Sequence, residues 1–233
     1  PTGCALPDGM LIGVQTVAND SSMTQPNRSW FGIPPFELPK REVIKMDDAV
    51  TWNPSRGLRA HRWFWELLRF LIPLPGAALA AGTLWAFYQL MDEFDELEMA
   101  IVIQPALLLV DIGILLLLNC VAKWLLLGRV KGGRIHAFWS PWVFRWDFHY
   151  TVWAELARRP LSVLEGTLWL NMYLRMMGVE IGSRVYLRRG FSQLVDPDML
   201  HFEDDSVIVG QFQAHTFEDR VLKLDHIRVG RGA

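Results

Sequence analysis

The sequence predicts a mixed α and β membrane protein, in which a transmembrane helical hairpin is followed by a partial parallel β-helix unit of hexapeptide-repeat texture. Three observations lead there. Two long apolar runs lie within residues 63–128, separated by the acidic stretch Met91-Asp-Glu-Phe-Asp-Glu-Leu-Glu98. The charges flanking the pair are basic, whereas the loop between the runs has five acidic residues and no Lys or Arg. From Gly178 onward the texture changes to short aliphatic pieces punctuated by Ile181-Gly182, Val209-Gly210 and Val229-Gly230.

A chain of 233 residues with 51% hydrophobic content is long enough for one or two domains and is not polytopic throughout. A formal net charge of −2 gives no reason to expect nucleic acid as a partner. Cys4 and Cys120 are far apart and build neither a disulfide framework nor a zinc site. The chain begins at Pro1 and stops at Arg231-Gly232-Ala233 inside a pattern, so a segment of a longer protein is expected.

Residues 1–50 are rich in Gly, Pro, Ser, Thr and Asn. Within them, Ser29-Trp-Phe-Gly-Ile-Pro-Pro-Phe-Glu-Leu-Pro39 sets prolines among aromatic residues. Proline fixes φ and removes a backbone donor, which predicts an extended strap, neither helix nor central strand. Residues 51–62 form a charged connector.

Residues 63–128 are the hairpin. Residues 70–91 contain no formally charged side chain, and as a helix these 22 residues would be about 33 Å long, enough for a hydrocarbon core of roughly 30 Å. The second run, residues 99–128, is interrupted by Asp111, Asn119 and Lys123. Arg56, Arg59, Arg62 and Arg69 precede or open the first run, and Lys123, Arg129, Lys131 and Arg134 close or follow the second. Basic flanks stay in the cytoplasm. The expectation is a multi-pass membrane location, with both soluble flanks cytoplasmic and the acidic loop on the other side. Pro73 and Pro75 predict a kink or a late helix start. The soluble alternative is a pair of buried core helices. Asp111 is costly in a bilayer unless protonated, paired or facing protein; it reads as a proton site or, more simply, as a contact with another segment of the full protein.

Residues 129–178 read as interfacial amphipathic helices. Aromatic and basic residues mix through Trp139-Ser-Pro-Trp-Val-Phe-Arg-Trp-Asp-Phe-His149, and helices over 150–158 and 161–177 are expected to break at Pro160. Trp169, Met172, Met176 and their neighbours form an apolar face suited to headgroups or to a groove. Residues 179–233 show six-residue steps, Ile181 to Leu187 and Leu194 to Leu200, the spacing of a β-helix that stacks one aliphatic per face. Val195-Asp-Pro-Asp198 interrupts them, and an antiparallel β domain fits the same pattern nearly as well.

Of six histidines, His61, His136 and His149 sit in or beside the apolar and aromatic segments, where packing is the default. His201 and His226 lie in the β region with no cluster apparent in the sequence. His215 is better placed, in Gln213-Ala-His-Thr-Phe-Glu-Asp219, with Glu218 and Asp219 three and four residues on. An imidazole takes a proton from an attacking amine or hydroxyl at neutral pH. Either carboxylate could fix its tautomer or hold a cationic amine. No phosphate loop, serine elbow, HExxH or paired CxxC is present, so no metal ligand set is expected.

Three stretches carry a family resemblance. The Ser29–Pro39 strap resembles the one closing a unit in the C-terminal tandem region of poly-lysine-synthetase-like, membrane-bound nonribosomal peptide synthetases. Gly166-Thr-Leu-Trp-Leu170 with Leu174-Arg-Met-Met-Gly-Val-Glu-Ile-Gly182 resembles the helix leading into the next unit, and Gln213-Ala-His-Thr-Phe-Glu-Asp-Arg-Val-Leu-Lys223 resembles its active-site coil. Leu200-His-Phe-Glu-Asp204 departs from the aliphatic-Gly-Asp coil expected ahead of it. The resemblance implies left-handed parallel β-helix units similar to hexapeptide-repeat acyltransferases. It implies amide formation between a free amine, from an amino acid or peptide, and an aminoacyl thioester on the 4'-phosphopantetheine of a carrier domain outside this segment. His215 would be the general base, Glu218 and Asp219 its orienting or amine-binding carboxylates, and tandem units of the same chain would form a pseudo-trimer. Membrane lipid is a further partner. A membrane-associated acyl-CoA-dependent acyltransferase and a non-catalytic scaffold or export unit are the alternatives.

Overall fold

The structure, a computed structural model, describes residues 5–13, 16, 17, 23, 25–38, 44–94, 97–210 and 213–233; the side chains of residues 93, 94 and 97–100 lie outside that description. Residues 95 and 96 of the acidic loop are therefore outside it too. The chain divides into two compact units, residues 1–45 and 46–233.

In the first unit, β1 (Leu11–Ile12), β2 (Ser29–Phe31) and β3 (Phe36–Glu37) form a sheet in that order, β1 parallel and β3 antiparallel to β2. This corrects the strap expectation, because Ser29–Phe31 is the central strand. The physical reason is where the prolines fall. Pro34 and Pro35 occupy the turn between β2 and β3, leaving the Trp30 carbonyl to accept from Gly13 N at 2.8 Å and the Ser29 carbonyl to accept from Leu38 N at 2.8 Å.

The second unit starts with two helices whose sequence caps are plain. An Asp47 oxygen accepts from Ala49 N at the head of α1 (Asp48–Thr51), and Ser55 Oγ accepts from Leu58 N at the head of α2 (Arg56–Leu68). A 3₁₀ turn, Arg69–Leu71, leads to α3 (Leu74–Phe94), so the apolar run from Trp63 is two helices. Pro75 sits in the first turn of α3, where a missing N–H leaves no bond unmade. α4 (Leu97–Leu126) packs against α3, and Thr83 Oγ1 donates to Asp111 Oδ2 at 2.5 Å across the pair. Asp111 thus has a partner inside the hairpin. Both helices are long and apolar enough to cross a membrane, and the most apolar stretch of α4 has no buried residue.

β4 (Arg134–Ala137) precedes α5 (Pro141–Leu156), which begins with Ser140 Oγ accepting from Val143 N and Pro141 in its first turn. α5 lies against α4 and α2, tied to α2 and the following turn where Arg62 and Arg69 donate to Asp147 Oδ2 at 2.6 and 2.7 Å. α6 (Arg158–Val163) contains Pro160, and α7 (Leu168–Met176) follows a Thr167 cap. The expected break at Pro160 is corrected: a proline in a first turn starts a helix, and the breaks fall at Ala157 and at residues 164–167. The main core gathers Trp153, Leu161, Leu170, Leu174 and Met177 from these helices with Phe191, Met199 and Leu200 from the β region.

Burial of His149 in α5, 3% exposed, lowers its pKa to about 4 against a smaller opposing pull from the Asn119 backbone. Between pH 6.5 and 4 the unfolded chain therefore binds the proton that the folded ring refuses. Stability contributed by the neutral ring is present above that window and lost through it as pH falls, by roughly 3 kcal/mol. Denaturant unfolding in detergent at pH 7, 5.5 and 4 should show that slope, and His149→Gln should flatten it.

In the β region, β5 (Glu180–Ile181), β7 (Leu200–Phe202) and β11 (Ile227–Val229) run parallel, with Ile181, Phe202 and Val229 in one row. β6 (Tyr186–Leu187) and β8 (Val207–Ile208) form a second parallel pair. Between β8 and β11 the chain leaves this ladder as an antiparallel hairpin, β9 (His215–Glu218) and β10 (Val221–Leu224), with β4 on the far side of β10. Parallel and antiparallel pairing thus coexist, and among the described residues no sheet closes on itself.

Candidate active site

His215 opens β9, directly across from Leu224 on β10. Its Nδ1 lies 2.5 Å from Asp196 Oδ2, and Asp196 Oδ1 accepts from Trp146 Nε1 at 2.9 Å. The Trp146 ring stands edge-on to the imidazole, centroids 5.2 Å apart. Asp196 immediately precedes a 3₁₀ turn, Pro197–Met199, yet makes no side-chain cap to it, so both carboxylate oxygens are spent on the imidazole and the indole. Its side chain is 2% exposed, against 12% for His215. A ring that donates from Nδ1 to a carboxylate keeps the lone pair of Nε2 for a substrate proton. The pair is thus an imidazole oriented by a buried aspartate.

Glu218 and Asp219 share the hairpin with His215. Three residues along a strand reverses the face, and Glu218 pairs with Lys223 at 2.9 Å. Asp219 and Arg220 form the two-residue turn, both left-handed at φ 51° and 61°, the geometry of a tight hairpin. The carboxylate at the His215 ring is Asp196, which sequence reading passed over as an interruption. A usable signal was there: two acids around a proline, within otherwise apolar surroundings.

The same turn sends its second acid the other way. Asp198 receives Lys123 Nζ, 2.9 Å from both oxygens, and Val130 N at 3.2 Å. The two side chains are 1% and 0% exposed, and the ammonium lies 3.5 Å from the Trp124 ring centroid. Gly178, at φ +109°, leaves the room: a Cβ there would collide with the Asp198 carboxylate. One short turn therefore connects the last turn of α4 to the His215 site.

His201 and His226, apart in sequence, come together. His201 Nε2 is 2.6 Å from His226 Nδ1, and its Nδ1 is 2.8 Å from Glu180 Oε2. The hydrogen bond and charge of His201 hold Glu180 below the usual carboxylate range. Strand register explains the meeting, since Glu180 and His201 are paired across β5 and β7. Among the described residues, no group of three or more His, Cys, Asp and Glu is placed to hold a metal ion.

The chain has a relative among poly-amino-acid synthetases. It is similar to the Delta-poly-L-ornithine synthetase of Acinetobacter baumannii (strain AB307-0294), with 33% identity over 239 residues. That similarity covers 98% of this chain but 17% of the synthetase, so the chain spans a small part of its relative's length. No protein-family model and no solved structure matches the chain.

Proposed function

We propose that this chain is a segment of a membrane-bound poly-amino-acid synthetase in which His215, oriented by Asp196, serves amide-bond formation between a carrier-bound aminoacyl thioester and a free amine. The observation that supports this reading most is the His215–Asp196 pair, its carboxylate buried and its imidazole partly exposed. The name of the similar synthetase agrees with it.

In this mechanism Asp196 holds the Nδ1 proton, and Nε2 accepts a proton from the amine as its nitrogen bonds to the thioester carbon. The pantetheine thiol, borne by a carrier outside the segment, supplies the activated acyl group and the leaving sulfur. His215 returns its proton to that sulfur as the carbon–sulfur bond breaks, so the base is regenerated. A cationic amine is bound at the hairpin turn by Asp219. α3 and α4 cross the membrane with both ends on the cytoplasmic side, and the β5–β7–β11 ladder is the first part of a left-handed β-helix unit that docks with tandem units of the same chain.

The donor distinguishes this reading from a CoA-dependent acyltransferase. Purified protein is given a free amine and one aminoacyl group, either on a loaded carrier or on CoA. Amide product from the carrier alone is expected. Equal turnover of the CoA thioester would replace the synthetase reading.

A further inference from the structure

We propose that the pocket just beyond the C-terminal end of α4 binds the phosphate of an anionic phospholipid headgroup; this rests on the reading that α3 and α4 cross a membrane. The pocket has a volume of about 250 Å³ and is rimmed by Arg129, Lys131 and Arg134. Leu127, Val130 and Trp142 form its apolar wall, and His136 stacks on the Trp142 indole at 4.0 Å, 7° from parallel. Among the described residues no carboxylate lines it.

Three cations thus share one small cavity with little to balance them. Arg129 meets Glu180 at 3.3 Å, but the two side chains are 69% and 58% exposed, and so open an ion pair contributes little. Among the described residues, Lys131 and Arg134 have no acidic partner. Burial, and then the Arg134 charge, push the His136 pKa down, so the ring adds a neutral hydrogen-bonding group at physiological pH. Arg134 and His136 belong to β4, held by β10 along its length. The site is therefore framed by a sheet and not by loops alone.

The surroundings say which anion. α4 ends at Leu126 and the pocket begins at Leu127. In the last turn of the helix Trp124 is 42% and Leu125 78% exposed. α7 joins that surface, Trp124 Nε1 donating to the Met176 carbonyl at 2.9 Å with Trp169 and Met172 exposed beside it. A phosphate with acyl chains satisfies both parts, its charge among the cations and its tails along the exposed apolar surface. A free phosphate uses only the first. Basic pockets at the ends of membrane helices suit anionic headgroups for this reason.

The test titrates phosphatidylglycerol bearing a fluorescent tail into the protein in neutral detergent. Each basic residue near a membrane surface is worth about a factor of five, so Lys131→Gln with Arg134→Gln should weaken binding about 25-fold. The charge-keeping pair Lys131→Arg with Arg134→Lys should bind like the natural sequence, which separates charge from folding. Phosphatidylcholine with the same tail should bind no better than the neutralised variant does to phosphatidylglycerol. Unchanged binding in the neutralised variant, no preference for phosphatidylglycerol, or equal competition by soluble glycerophosphoglycerol would each overturn the lipid site. Release of the protein from vesicles by alkaline carbonate would instead overturn the membrane reading beneath it.

Discussion

His215→Ala is expected to abolish amide product while aminoacylation of the carrier continues at its normal rate. A positioned base contributes about 10²- to 10⁴-fold, and a loss of that size should appear in product formation alone. Asp196→Asn is the sharper experiment, because it changes the proton and almost nothing else. An asparagine can still bond the ring, but its amide offers a donor as well as an acceptor. The tautomer with Nε2 free is then no longer enforced, and a loss of similar order is expected. Asp219→Asn, in the turn, should alter the apparent affinity for a cationic amine more than the rate with saturating amine. The measurement is product formed from preloaded carrier, with loading followed separately. Unchanged product from either the Ala or the Asn variant removes this pair from the mechanism.

How much of this was legible in sequence depends on distance along the chain. The hairpin announced itself through hydropathy: most of the uncharged residues 70–91 lie in α3, and most of the second apolar run lies in α4. Prolines were legible as punctuation but not as position. Pro34 and Pro35 sit outside a strand and Pro160 inside a first turn, and the difference lies in which backbone groups need partners. His215 was legible because its neighbours are distinctive. Its orienting partner was not, since Asp196 is 19 residues away and reaches the ring only once β9 and the Pro197–Met199 turn are in place. The pairing of His201 with His226 was hidden likewise, because it depends on parallel register between β7 and β11, which short aliphatic strands do not display. Lys123 was read as an interruption of an apolar run, although its ammonium is the cation that a buried acid 75 residues on requires.

Lys123→Met is expected to cost about 3–5 kcal/mol of stability, enough to unfold a marginal domain. The size comes from what is left behind. Asp198 would remain fully buried, keeping Val130 N as a donor among the described residues, and an uncompensated carboxylate in that position is far worse than a packed apolar pair. It follows that Lys123→Met combined with Asp198→Leu should recover much of the loss, since desolvating two charges offsets most of their mutual attraction. Unfolding by denaturant in detergent, for the two single variants and the double, gives the coupling directly. Activity should not recover in step with stability. Asp198 and Asp196 share one turn, so freeing the former from α4 loosens the carboxylate that orients His215 even where the fold is restored. A double variant that is stable yet slow would place the hairpin in the mechanism as the anchor of that turn, whereas full activity would show that Asp196 is held by Trp146 and the imidazole alone. A cost below about 1 kcal/mol for Lys123→Met would mean that water reaches Asp198 and that the pair behaves as an exposed one.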